Sequence, residues 1–141
     1  NIEKKHIDQF RDLHISVSGR ETRSYATWMS QYELIKNTKS FIILAYKDSL
    51  LVSAGLFVCE YFHCFYGVSV SRRDMFEKPL FHSIMWKAIL HAKSLGMKCF
   101  ETGSEYIDHP LFYQASEKEN QISLFKAGFG GRLELSLIAK T

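Results

Sequence analysis

Residues 78–103, KPLFHSIMWKAILHAKSLGMKCFETG, decide how this chain folds. Phe81, Ile84, Met85, Ala88, Ala92 and Leu95 recur at helical spacing, so residues 78–95 predict one long helix with an apolar stripe. Pro79 suits its first turn, and Gly96 stands where it should stop. Only a few residues later KCFETG reads as a strand. A strand reached so soon after a helix is a candidate to lie parallel to the strand before that helix.

Upstream, the period is two. SFIILAY, residues 40–46, is a short β-branched and aromatic run typical of a buried strand. KDS is turn chemistry. LLVSAGLFVCEYF, residues 50–62, is a second strand, with Gly55 marking a bulge or a close backbone approach. HCFYGVSVS, residues 63–71, is a third. Short joints favour antiparallel neighbours. Further upstream, residues 3–18 predict a helix with Ile7, Phe10, His14 and Val17 on its stripe and Gly19 as its stop. A second helix is expected over 24–37, with Ser24 as N-cap and Tyr25, Trp28, Met29, Tyr32 and Ile35 as its apolar side. Downstream, residues 104–116 read as irregular, residues 117–127 as a helix and RLELSLIA as a last strand. The order predicts an α/β domain whose mixed, largely antiparallel sheet is flanked by helices.

The 141 residues suffice for one domain, 1–141, with a real core. The chain is 46% hydrophobic and carries a net charge of +3, too small a surplus to point to a nucleic acid or a membrane surface. Cys59, Cys64 and Cys99 have no disulfide-framework spacing, which points to reduced thiols and a cytoplasmic setting. No apolar run reaches the roughly 18 residues of a membrane helix. The start at Asn1 is read as a sign of a fragment of something longer.

Chemistry-bearing residues gather in four places. Lys126 stands between Phe125 and Phe129 on the 117–127 helix, about 40° from Ile122 around the wheel, at the edge of the apolar side. There it either snorkels to water or aims its ammonium into a groove, where it could hold an anion or an oxyanion. Arg72, Arg73 and Lys78 lie near the N-terminus of the 78–95 helix, an end that attracts anions, among the neutralising Asp74 and Glu77. Glu101, Glu105, Asp108 and His109 follow the fourth strand and suit proton transfer. His63 lies near Cys59 and Cys64, but strand parity gives Cys59 and His63 one face and Cys64 the other, and zinc spacing is missing, so no metal is expected. Walker, G-x-G-x-x-G and G-x-S-x-G motifs are absent from the sequence.

The stretch 78–103, followed by ISLFKAGFGG, resembles the FemAB-like branch of the GNAT acyltransferase superfamily. YGVSVSRRDMFEKP and FRDLHISVSGRETRS look similar to that branch as well. The phrase I-x-x-F-K-x-G-F-G-G is the most specific part. The resemblance implies a GNAT fold and a chain that looks like the C-terminal half of a protein with a second GNAT-like domain. It implies an acyl or aminoacyl transferase that moves an activated acyl group to an amine acceptor on an envelope component or sugar. The donor would be aminoacyl-tRNA, with a tRNA contact, or acyl-CoA, and no cofactor would be tightly bound. Phe125 and Lys126 would sit at the donor site. Gly67 and Gly103, on splayed strands, would offer backbone N–H groups, and Glu101 or Asp108 would take the proton. The pyrophosphate loop usual in GNAT enzymes is replaced by VSRRDMFEKPL. Two other expectations stand beside this one: an ordinary CoA-dependent N-acetyltransferase using Arg72, Arg73 and the helix N-terminus, and a non-catalytic GNAT-fold binding module with a large exposed apolar face.

Overall fold

The computed structural model describes residues 2–75, 77–106 and 111–134. The chain divides into two compact units, Asn1–Thr102 and Gly103–Thr141.

The first unit begins with α1 (Lys4–Ser18) and α2 (Tyr25–Asn37). A reciprocal capping pair starts α1: the Glu3 side chain accepts from the His6 N–H, and the Glu3 N–H donates to His6 Nδ1 at 3.0 Å. Gly19, at φ 71°, ends it by donating its N–H to the Ile15 carbonyl at 2.8 Å. Ser24 caps α2 as expected, accepting the Thr27 N–H. The buried stripe of α1 is Ile7, Phe10 and Leu13. Its last turn therefore buries Leu13, with His14 and Val17 only half-buried. The reason is Trp28, which is fully buried and meets Phe10 and His14 edge-on at 5.1 and 5.7 Å. So large a ring holds His14 at the margin of the core.

Four strands follow: β1 (Phe41–Lys47), β2 (Leu50–Glu60), β3 (His63–Ser71) and, after α3 (Leu80–Ser94), β4 (Cys99–Glu101). Their order in the sheet is β1-β2-β3-β4. β1, β2 and β3 are antiparallel in turn, and β4 lies parallel to β3. This is the mixed, largely antiparallel sheet that the sequence predicts, including the parallel fourth strand. Two register shifts interrupt the ladders. One falls opposite Ala45/Tyr46, where β2 carries Val52 as an extra residue, and the other makes Gly67 the extra residue of β3.

The α1/α2 pair packs with Leu51, Ala54, Leu56, Val68 and Val70, and with Ile42 and Leu44. On the other face α3 buries Ile84, Met85, Ala88 and Ala92. Gly55 marks a close approach there: a Cβ built on it would lie 3.1 Å from Ile84 Cγ2. Pro79 is the N-cap of α3 rather than part of its first turn, and Gly96, at φ 83°, follows the helix end.

In the second unit α4 spans Glu117–Ala127, with a full capping box between Ser116 and Glu119. Residues 132–134 form no strand, and the rest of the expected RLELSLIA strand lies outside the described residues. No helix among the described residues is long and apolar enough to cross a membrane.

Candidate functional site

In the first unit the candidate site forms where β3 and β4 part. Their ladder holds three pairs, His63↔Cys99, Cys64↔Phe100 and Phe65↔Glu101, and then stops. β3 continues to Ser71, while β4 ends at Glu101. From Tyr66 onward β3 has no ladder partner on its β4 side among the described residues. Peptide N–H and C=O groups of such an edge are open to an extended ligand. Gly67 sits in this part of β3, and the bulge changes the direction of its peptide groups relative to the ladder. The phenol of Tyr66 hydrogen-bonds the Ser69 hydroxyl, and burial raises its pKa, with that hydrogen bond acting the other way. Tyr66 also packs near Phe57 and Phe81, at ring distances of 6.1 and 5.4 Å. Glu101 closes β4 and is exposed. Asp108 and His109 lie outside the described residues.

The segment before α3 bears on anion binding. Residues Arg73–Met75 form a 3-10 turn, and Pro79 caps α3 without a side-chain hydrogen bond. Arg72 grips Asp74 through two hydrogen bonds, Nε to Oδ1 at 3.1 Å and Nη2 to Oδ2 at 3.0 Å. This pairing holds the Asp74 carboxyl below its usual range, chiefly through the hydrogen bond from Arg72. Arg72 is therefore already neutralised, and the exposed cations of the expected trio are Arg73 and Lys78. Bidentate pairing uses the fork that would otherwise grip a phosphate.

The second unit answers how Lys126 is turned. It is half-buried. Its Nζ donates to the Ser104 carbonyl at 2.8 Å, lies 5.9 Å from the centre of the Tyr106 ring and comes within 3.2 Å of a Cβ built on Gly103. Burial lowers its pKa below the ordinary 10.5. The backbone N–H of Tyr106 in turn donates to the hydroxyl of Ser123, the buried residue of α4, at 3.0 Å. Lys126 and Ser123, one helical turn apart, thus fasten residues 103–106 to α4. Gly103, at φ 89°, adopts a conformation that side chains resist. Phe125 meets Phe129 edge-on at 5.1 Å. Sequence reading missed Ser123 and Tyr106; a hydroxyl three residues before a lysine on the inward side of a short helix was the available signal.

The cysteines correct one expectation. Cys59 pairs directly with Cys64, and Glu60 with His63. Directly opposed residues share a face, so the two thiols lie together and His63 lies on the other side. The tight Tyr61-Phe62 turn resets the parity that a continuous strand would have kept. Both thiols are buried, and desolvation first, then the hydrogen bond with Cys59, raises the Cys64 pKa. Among the described residues no group of three His, Cys, Asp or Glu side chains could hold a metal ion.

No protein-family model matches the chain, and no curated protein does. Solved structures do share its fold. The aminoglycoside acetyltransferase AAC(6')-Iy, in complex with the bisubstrate analog CoA-S-monomethyl-acetylneamine, superposes with a TM-score of 0.68 at 11% identity, covering 99% of this chain and 92% of that one. AAC(6')-Ih, an aminoglycoside antibiotic 6'-N-acetyltransferase from Acinetobacter baumannii, gives 0.64 at 15% identity over 99% and 92%. A GNAT family acetyltransferase from Staphylococcus aureus gives 0.57 at 11% identity over 82% and 94%. The chain therefore has the GNAT fold.

Proposed function

We propose that this chain is a GNAT-type N-acyltransferase that moves an acyl group from acyl-CoA to an amine. The observation that carries the reading is the parting of β3 and β4 after Phe65↔Glu101, beside the Gly67 bulge. CoA has an extended arm with two amides, and an unpaired strand edge is the natural partner of such a chain. The fold is also that of acetyltransferases solved with CoA ligands.

In this reading the amine attacks the thioester carbonyl carbon, the C–S bond breaks, and the thiolate leaves. Backbone N–H groups of β3 near Gly67 stabilise the negative oxygen. Glu101, or Asp108, takes the proton of the attacking amine. Arg73 and Lys78, with the α3 N-terminus, favour the donor phosphates; Arg72 joins them only by leaving Asp74. In the second unit Lys126 exchanges the Ser104 carbonyl for an anionic oxygen with Phe125 beside it, and Gly103, whose φ of 89° a glycine adopts without strain, lets residues 103–106 adjust.

A FemAB-like aminoacyltransferase is the second reading. It is favoured by the F-K-x-G-F-G-G phrase and by the occupation of Arg72 by Asp74, which weakens the case for a pyrophosphate ligand. Its donor would be aminoacyl-tRNA, its acceptor an amine of an envelope component or sugar, and a second GNAT-like domain would complete it.

The two readings separate in a thermal-shift titration. Acetyl-CoA at a hundredfold excess over its Kd should stabilise the chain by about 2.7 kcal/mol. No shift at millimolar acetyl-CoA removes the first reading. Lys126→Ala should then abolish transfer to a panel of amines, at a loss of about 1 kcal/mol for the Ser104 hydrogen bond that it also removes; a fully active variant removes Lys126 from the mechanism.

A further inference from the structure

Cys59 and Cys64 meet at the end of the β2–β3 hairpin. The ladder opens with Glu60↔His63 and Cys59↔Cys64, and Tyr61 and Phe62 alone make the turn. With a turn of two residues, the flanking pair Glu60↔His63 exchanges ladder hydrogen bonds and the next pair does not. A contact outside this ladder fixes the same phase: the Cys59 N–H donates to the Ser40 hydroxyl at 3.0 Å, and Ser40 directly precedes β1. A strand residue turns its N–H and C=O to one side, so Cys59 turns both toward β1. Opposed residues in such a row have Cα atoms about 4.5 Å apart and the closest side chains. That separation falls within the range of about 4.4–6.8 Å that disulfides span.

The two thiols already touch, since that of Cys64 is hydrogen-bonded with that of Cys59. Cys59 is 6% exposed and Cys64 is fully buried. The turn beside them, with Tyr61 85% exposed, puts their row one pair away from solvent. Cys99 has no part in the pair. It stands beside His63 in the parallel β3–β4 ladder, and so on the face opposite to Cys64. We propose that Cys59 and Cys64 are an oxidisable dithiol that a peroxide converts, in the folded chain, to a cross-strand disulfide.

Cys59, the less buried thiol, attacks one oxygen of hydrogen peroxide. The O–O bond breaks, Cys59 becomes a sulfenic acid, and one water leaves. The sulfur of Cys64 then attacks that of Cys59. The S–S bond forms, the S–O bond breaks, and the hydroxyl leaves with the Cys64 proton as a second water. Two thiols are oxidised while one peroxide is reduced to two waters. The bridge joins β2 to β3 in a row that ladder hydrogen bonds leave open, one pair before the last pair of the β3–β4 ladder. This inference is independent of the acyltransferase reading.

Peptide mapping tests it on the unaltered chain. No Lys or Arg stands between Lys47 and Arg72, so trypsin releases both cysteines in one peptide, 48–72, and Cys99 in another, 99–118. The folded chain, at micromolar concentration, is treated with millimolar hydrogen peroxide. It is then unfolded, alkylated with iodoacetamide and digested without reductant. Peptide 48–72 should carry no alkyl group and be lighter by two hydrogen atoms, and dithiothreitol should restore both alkylation sites. The oxidised chain should keep its far-ultraviolet circular dichroism spectrum, and Cys99→Ser should bridge as the unaltered chain does. A peptide 48–72 that takes up two alkyl groups, or that gains oxygen instead of losing hydrogen, overturns the proposal. So does a bridge between 48–72 and 99–118, a loss of the folded spectrum on bridging, or a Cys99→Ser chain that no longer bridges.

Discussion

Replacing Gly55 by alanine puts a methyl group into a close contact between the sheet and α3. The new Cβ would lie 3.0 Å from Phe57 Cε2, 3.1 Å from Phe57 Cζ and 3.1 Å from Ile84 Cγ2. Carbon atoms pack best about 3.5–4.0 Å apart. Two side chains must therefore yield by a few tenths of an ångström, and both, Phe57 and Ile84, are fully buried. Overpacking of this kind costs about 1–3 kcal/mol. The loss of glycine's freedom in the unfolded chain returns about 0.4–1 kcal/mol. A net destabilisation of about 1–2 kcal/mol follows, or a melting temperature lower by roughly 3–8 °C for a chain of this size. Urea titration should show a lower midpoint with an unchanged slope. The origin of the effect can be isolated in a double-mutant cycle. Ile84→Ala should cost at least about 0.5 kcal/mol less in the Gly55→Ala background than alone, since it removes one of the crowded atoms. A neutral or stabilising Gly55→Ala, or strict additivity with Ile84→Ala, would refute the packing argument.

Two further perturbations test other parts of the molecule. His14 has its pKa lowered below 6.5, first by burial against Trp28 and then by the charge of Arg23. The unfolded state thus binds the proton more readily, so stability should be full above pH 6.5 and fall as pH drops through the lowered folded value; His14→Gln should flatten that acid limb in melts between pH 7.5 and 5. Ser116→Ala removes the hydroxyl half of the α4 capping box, keeps the backbone N–H of residue 116 on the Glu119 carboxylate, and should cost that helix about 1 kcal/mol, read as faster hydrogen exchange of amides in Glu117–Ala127.

Much of the architecture was legible because period changes are abrupt in this sequence. β3 and α4 occupy the predicted residues, 63–71 and 117–127, and the parallel β4 followed from its short link to α3. Gly55 was readable as a close approach because an isolated glycine in an apolar strand has few other uses. The shift from His14 to Leu13 was not readable, since the shape of the core around Trp28 decides it. Nor was the shared face of Cys59 and Cys64, which depends on a turn of two residues. The candidate site was legible in part. The wheel put Lys126 at the inward edge of α4, but its acceptor, the Ser104 carbonyl, is a backbone group in an irregular segment, and no residue pattern encodes it. The Arg72–Asp74 pair was visible only as mixed charge; which cation is spent on which carboxylate is a matter of local geometry.

The extra residue at position 67 lets one strand serve two compartments. In β3 the even-numbered residues 64, 66, 68 and 70 are Cys, Tyr, Val and Val, as if all belonged to a single side. The pairing separates them: Cys64 and Tyr66 sit opposite Cys59 and Phe57, Val68 and Val70 opposite Leu56 and Ala54. Gly67 is where the strand changes phase between these two sets. Loss of that one codon would restore a regular ladder and send half of the strand's side chains into the wrong layer, so a deletion at this position should be far more damaging than any substitution there.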